Sequence, residues 1–426
     1  MRLDLCAPVR AFLAGILFFL PFATAEAQFI QYTPPGGPEE RPESRKEEID
    51  RIMEEAPWHL GPVRVAPVFG LRDVAYQRSI TGPVESPSDI TATVEAGLHA
   101  YVHTGSKVIW RAQVVPEYVW WREQSERRNL NGRYDLSAFG FFNRLTAEIG
   151  ATRNEEQQVF HPEVLRRVSA RQDDARAAAE VRVSGALAAF ASTRLMRQDS
   201  LAGEDGDPQA AALESLDREE LSTRVGVRWR RHNGLSVGLG VERSEAEFEG
   251  DLDRSNEGTS PVLEVIWDRP RLYAQVDVAS RSLEAREGSA FVPYDAVTGS
   301  ASLRIEIRRT LSTTVYSSHN LVYSITPGYA YLDDRRLGAS FQALLGDSVQ
   351  TRVFAETGSN DFTAFTAAAP ARNDDLFSYG GQIGWTLRNL FQVSLQALRT
   401  EIDSNLPGFD RSYTSVGLTV GLSRGL

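Results

Sequence analysis

The segment from Leu376 to Leu426 leaves little choice of fold. From Tyr379 it reads Y-G-G-Q-I-G-W-T-L, then F-Q-V-S-L-Q-A from Phe391, and S-Y-T-S-V-G-L-T-V-G-L from Ser412. Tyr379, Gly381, Ile383, Trp385 and Leu387 share one strand face, against Gly380, Gln382, Gly384 and Thr386 on the other. Phe391, Val393, Leu395 and Ala397 oppose Gln392, Ser394 and Gln396, and Val416, Leu418, Val420 and Leu422 oppose Gly417, Thr419 and Gly421. The period is two residues, one face apolar and the other polar or glycine. A strand with its apolar face towards lipid and its polar face towards a wet lumen is the unit of an outer-membrane β-barrel.

The same pattern runs upstream. Leu221, Thr223, Val225, Val227 and Trp229 oppose Ser222, Arg224, Gly226, Arg228 and Arg230. Leu235 to Glu242, Leu303 to Arg308 and Val349 to Glu356 alternate in the same way. The strands before them alternate less cleanly, and Pro116 interrupts one. Short connections fall at Thr104-Gly105-Ser106, Asn143-Arg144, Ser184-Gly185, His232-Asn233-Gly234, Arg269-Pro270, Arg308-Arg309, Gly346-Asp347 and Arg388-Asn389. Several carry the Gly, Asn or Asp of tight hairpins. Longer polar connections are read at Glu123–Arg133, Phe160–Asp174, Gln198–Glu219 and Asn360–Asp375. Eight short turns join sixteen strands; a first strand near Val63–Arg78 and a last near Ser412–Ser423 bring the expected count to eighteen. The fold class is therefore all-β, an antiparallel up-and-down barrel over residues 60–426. An even count places both termini and the short turns in the periplasm.

Residues 1–27 read as a signal peptide: Arg2 and Arg10 flank a short start, Ala11 to Phe22 is apolar, and Ala25-Glu26-Ala27 offers a cleavage site. Cys6 lies within this leader, so the mature chain is expected to hold no disulfide or thiolate metal site. Residues 28–59 read as a periplasmic linker rich in proline and glycine. It carries one short helix capped by Ser44 with Glu47, ending near Ala56, with Ile49, Ile52 and Met53 as an apolar stripe. A mean hydropathy of -0.30 argues against helical membrane spans, and a net charge of -11 argues against nucleic acid as a partner.

Strand parity points Arg224, Arg228, Glu242, Arg304, Glu306, Gln350, Arg352, Glu356 and Gln382 into the lumen. Gly226, Gly238, Gly240, Gly384 and Gly417 are read as leaving space there. Tyr273 and Phe354 are the lumenal aromatics that could stack on a sugar. Trp229, Trp267 and Trp385 share the apolar face just before short turns, the level of an interfacial aromatic girdle.

The segment Gly61 to Leu71 (G-P-V-R-V-A-P-V-F-G-L), the segment His161 to Arg171 (H-P-E-V-L-R-R-V-S-A-R) and the hairpin series resemble the type-2 outer-membrane β-barrel porin family. Those barrels are associated with exopolysaccharide production. The resemblance implies an outer-membrane pore serving as a conduit for secreted exopolysaccharide. Its expected partners are outer-membrane lipid, the barrel-assembly machinery, polysaccharide and periplasmic export components. A general small-solute porin and a structural or adhesion barrel with a filled lumen remain open. No catalytic set emerges: Ser317-Ser318-His319-Asn320 lacks a third member at a recognisable spacing, and no carboxylate cluster has calcium-loop spacing. Neither enzymatic activity nor a cofactor is expected.

Overall fold

A computed structural model describes residues 45–81, 84–85, 88–158, 161–163, 168–201, 212–231, 234–250, 254–346, 348–387 and 391–422. The expected leader, most of the linker and the capping residue Ser44 lie outside the described residues. Twenty strands form one sheet. Two are short, Trp58–Leu60 and Val84–Glu85, and the other eighteen make the wall.

The wall begins with β1 (Val63–Thr81), β2 (Asp89–Thr104), β3 (Val108–Trp121), β4 (Asn129–Phe141), β5 (Leu145–Gln158) and β6 (Val168–Arg182). It continues with β7 (Leu187–Ser200), β8 (Arg218–Arg230), β9 (Leu235–Phe248), β10 (Asn256–Arg269), β11 (Leu272–Ala285) and β12 (Tyr294–Arg308). The last six are β13 (Leu311–Tyr323), β14 (Tyr329–Leu345), β15 (Val349–Ala364), β16 (Asn373–Leu387), β17 (Phe391–Ser404) and β18 (Arg411–Leu422). Each pairs antiparallel with the next. Pairing of β1 with β18, from Gly70↔Gly421 to Thr81↔Arg411, closes the barrel. Closure removes free edges, so the wall strands satisfy their backbone groups within the sheet, as a hydrocarbon environment demands.

The faces follow the sequence alternation. On β8 exposure alternates residue by residue, and on the outward face Leu239 is 56% and Val353 55% exposed. Apolar exposure repeated around a whole wall would be untenable in water, and lipid is its solvent. Glycines with positive φ occupy three of the short turns: Gly105 (φ 67), Gly234 (φ 79) and Gly346 (φ 66).

The blurred alternation of the early strands has two causes. The register of β1 shifts between Arg72 and Ala75, a bulge that moves the outward set from Phe69 and Leu71 to Tyr76. Pro116 faces an interruption in the β2–β3 ladder, which is paired at Glu95↔Glu117 and resumes at Leu98↔Val114. Pro261 likewise falls in the gap between Gly258↔Leu283 and Val262↔Ala279. Proline has no N–H to give, so the ladder breaks on one side while the strand continues.

The long connections are shorter than their charge suggested. Asn129–Arg133, Val168–Asp174, Gln198–Ser200, Asn360–Ala364 and Asn373–Asp375 belong to strands. Cross-strand pairs such as Arg153–Asp173 (2.6 Å) and Arg171–Glu155 (2.7 Å) neutralise the charges on these extended ends.

Candidate conduit through the barrel

All nine residues expected on the inner face lie on the inward parity of their strands. Arg224 Nη2 is 2.8 Å from Glu242 Oε2, and its Nη1 is 3.0 Å from Asp277 Oδ2. Arg228 bridges Glu180 and Glu264, the latter at 2.7 Å. Its guanidinium also stands 4.9 Å from the Phe190 ring. Arg352 and Gln382 are direct cross-strand partners, Gln350 faces Gly384, and Arg304 faces Tyr273 and Thr314. Glu306 follows Arg304 on β12 at the same parity. Glu356 requires a correction: it is 1% exposed, with Arg336 Nη1 3.9 Å away, so it belongs to the packed wall and does not line open space.

Most of the lumenal glycines also need correcting. A Cβ on Gly226 would lie 2.7 Å from Phe190 Cζ, and one on Gly240 would meet the Val225 carbonyl oxygen at 2.6 Å. A Cβ on Gly417 would lie 3.1 Å from Ala75 Cβ, and one on Gly380 would lie 2.8 Å from the Phe354 ring. These glycines are seats for neighbouring groups, not vacant width. Tyr273 is buried and donates to Gln275 Oε1 at 3.1 Å.

The charged network on β1–β4 is not legible in the sequence, because the bulge and Pro116 hide the parity. Arg133 Nη2 is 2.7 Å from Glu95 Oε2 and its Nε 2.9 Å from Glu117 Oε1; Arg72 pairs with both glutamates. Next to it, Asp135 accepts from Arg111 Nε (2.9 Å), Ser137 Oγ (2.9 Å) and Thr152 Oγ1 (2.9 Å). Between β5 and β11 the inner wall keeps a cavity of about 840 Å³, bounded by Arg176, Arg194, Arg218, Arg224 and Glu242 among others.

Both ends of the lumen carry an inserted element. At the short-turn end, helix α1 (Arg45–Glu55) lays Ile49 and Met53 on Tyr101 of β2, Ile109 of β3 and Phe139 of β4. Those three aromatic and aliphatic groups are inward-facing, so the helix sits inside the mouth. At the long-connection end, the segment His161–Glu163 after β5 reaches the connection after β13, nearly opposite on the ring. His161 Nε2 donates to the Tyr323 carbonyl at 2.9 Å, and Glu163 Oε2 accepts from Ile325 N at 2.8 Å. Glu163 Oε1 accepts from Thr326 Oγ1 and pairs with Arg372 Nη1 at 3.3 Å. Arg372 is itself held by Asp374 (2.7 Å), which also binds Arg411 (2.7 Å). Arg254, from the connection after β9, donates to the Ser324 carbonyl. Burial pushes His161 below the ordinary histidine range and brings Arg254 down to about 10.

Outside, Trp229 and Trp267 are each 42% exposed and Trp385 is half-buried, all within two residues of the short-turn ends of their strands. A second aromatic level stands at the opposite end of the strands. Tyr118 and Trp120 on β3, and Phe377 and Tyr379 on β16, stand on the outward face near the long connections. Ten residues separate Trp110 from Trp120 on β3; strand tilt reduces that length to about 25 Å along the barrel axis, the height of an outer-membrane apolar band.

His319 pairs with Asp333 at 2.8 Å, and Asp333 also accepts from Tyr294 Oη at 2.8 Å. The Ser317 hydroxyl donates to the Arg336 carbonyl, not to the imidazole. Among the described residues no group of three or more His, Cys, Asp or Glu is placed to hold a metal ion.

Solved structures share this architecture. Pseudomonas aeruginosa OccK2 (OpdF), in complex with glucuronate, superposes with a TM-score of 0.50 at 12% identity, covering 84% of this chain and 98% of its own. The outer membrane protein opdK from Pseudomonas aeruginosa matches with the same TM-score of 0.50, 12% identity and coverage of 84% and 98%. The fold is that of an outer-membrane β-barrel. No family profile and no curated protein matches the sequence. At such identity the likeness speaks for the barrel and is silent on its cargo.

Proposed function

We propose that this protein is a passive outer-membrane pore for small polar solutes. The observation that carries the reading is a polar inner wall with an open cavity of about 840 Å³, narrowed at one end by the His161–Glu163 strap. An eighteen-stranded wall is wide enough for an aqueous channel. The strap favours small solutes over the exopolysaccharide conduit, because a moving polymer chain would have to pass a segment bonded to the far side of the mouth. One barrel of this fold was solved in complex with glucuronate, a small polar molecule. Cross-paired arginines and carboxylates along the inner wall would give weak ion selectivity. Purified protein in a planar bilayer should give discrete conductance steps in potassium chloride. A silent bilayer, with correctly inserted protein, would leave only the filled structural barrel.

A further inference from the structure

The inner wall is not chemically uniform. On β1–β11 its arginines are largely spent on carboxylates of the same wall, as in the Arg133, Arg224 and Arg228 pairs. On β14–β17 the lower wall is instead built from amides. Gln342, Arg352, Gln382 and Gln396 form one continuous cross-strand row, Gln342↔Arg352↔Gln382↔Gln396. Gln350 and Gln392 lie on the same inward face, nearer the short-turn end. All five glutamine side chains are partly exposed towards the lumen. Among the described residues, no ion pair or side-chain hydrogen bond of the wall engages these amides. Next to them the wall carries Gly384, which projects no side chain.

We infer that this row is a contact lane for uncharged polyhydroxylated solutes, that is, neutral sugars; the inference rests on the pore reading above. Each carboxamide offers two donors and one acceptor oxygen, and a sugar hydroxyl is both donor and acceptor. A row of amides can hand such a molecule from one strand to the next, replacing the hydrogen bonds it held with water. Fixed charges bind a neutral hydroxyl less selectively and, where already paired, would first have to break an ion pair. Arg352 is the one cation among the four residues of the row, and the three amides beside it set the character of the rest.

The test uses the full protein in proteoliposomes and planar bilayers, with glucose as the neutral probe and gluconate as its charged counterpart of similar size. Glucose should enter faster than gluconate. The double substitution Gln382→Leu and Gln396→Leu should slow glucose by roughly threefold to tenfold, the factor for about one net hydrogen bond, with potassium chloride conductance measured to show that the variant is inserted. The pair Gln382→Asn and Gln396→Asn, which keeps the amides, should retain most of the flux. If the leucine pair fails to insert, Gln342→Leu alone carries the same comparison. Unchanged glucose flux in the leucine variants, faster entry of gluconate than glucose, or equal loss in the asparagine pair would overturn the lane while ion conductance persists. Absence of ion conductance in the unsubstituted protein would instead remove the pore reading itself.

Discussion

The two ends of this barrel are narrowed by opposite physics. Helix α1 is held in the short-turn mouth by apolar contact, Ile49 and Met53 against Tyr101, Ile109 and Phe139. The strap at the other end is held by directed polar bonds from His161 and Glu163 to Tyr323, Ile325, Thr326 and Arg372. Apolar burial is insensitive to pH and is not screened by salt. Polar anchoring depends on every partner being present in one protonation state. The helix should therefore be a fixture, and the strap an element whose hold varies with conditions.

The largest expected effect is on the helix. Ile49→Ala with Met53→Ala should weaken its docking by about 2–5 kcal/mol per site, as buried aliphatic truncations do. Protease accessibility of residues 45–55 should rise, and the pore should conduct more. Unchanged protection would mean that the contact is incidental and the contrast between the ends is wrong.

Glu163→Ala should cost the strap less, about 1–3 kcal/mol, because Arg372 keeps Asp374 while the Ile325 N–H loses its acceptor. A distance probe between the strap and the connection after β13 should lengthen, with α1 undisturbed. Coupled release of both elements would show one closing device where the structure shows two.

Smallest is the response to pH. His161 donates from Nε2 to Tyr323 and accepts at Nδ1 from Glu163 N at 3.2 Å, so the docked ring is neutral. Its depressed pKa means that the docked strap binds fewer protons than the released one. The hold is complete above about pH 6.5 and weakens as pH falls below it. Asp217, in the connection after β7, runs the other way: burial raises it to about 6, so its contribution is lost as pH rises through that value. Channel noise should therefore increase in mild acid for the unsubstituted protein and not for His161→Asn. An identical acid response in that variant would place the sensor elsewhere.

The sequence by itself determined the barrel. A two-residue period with one apolar face has no other membrane-compatible fold, and turn chemistry at Gly105, Gly234 and Gly346 marked three of the eight short-turn hairpins. It also set which side chains of β8–β18 face inwards, since parity is local. Only the tertiary structure decided what those inward groups do. Arg224 meets Asp277 from three strands away, and His161 meets Tyr323 from across the mouth; neither partnership leaves a mark within a strand length of sequence. The bulge at Arg72–Ala75 inverted parity where the Arg72, Glu95, Glu117 and Arg133 network lies. Gly226, which read as empty width, proved to be a seat for the Phe190 ring, because the neighbouring strand supplies the side chain that fills the gap. Alternation is fixed by the geometry of one chain segment, whereas free space and charge pairing belong to the closed ring, where strands distant in sequence share one lumen.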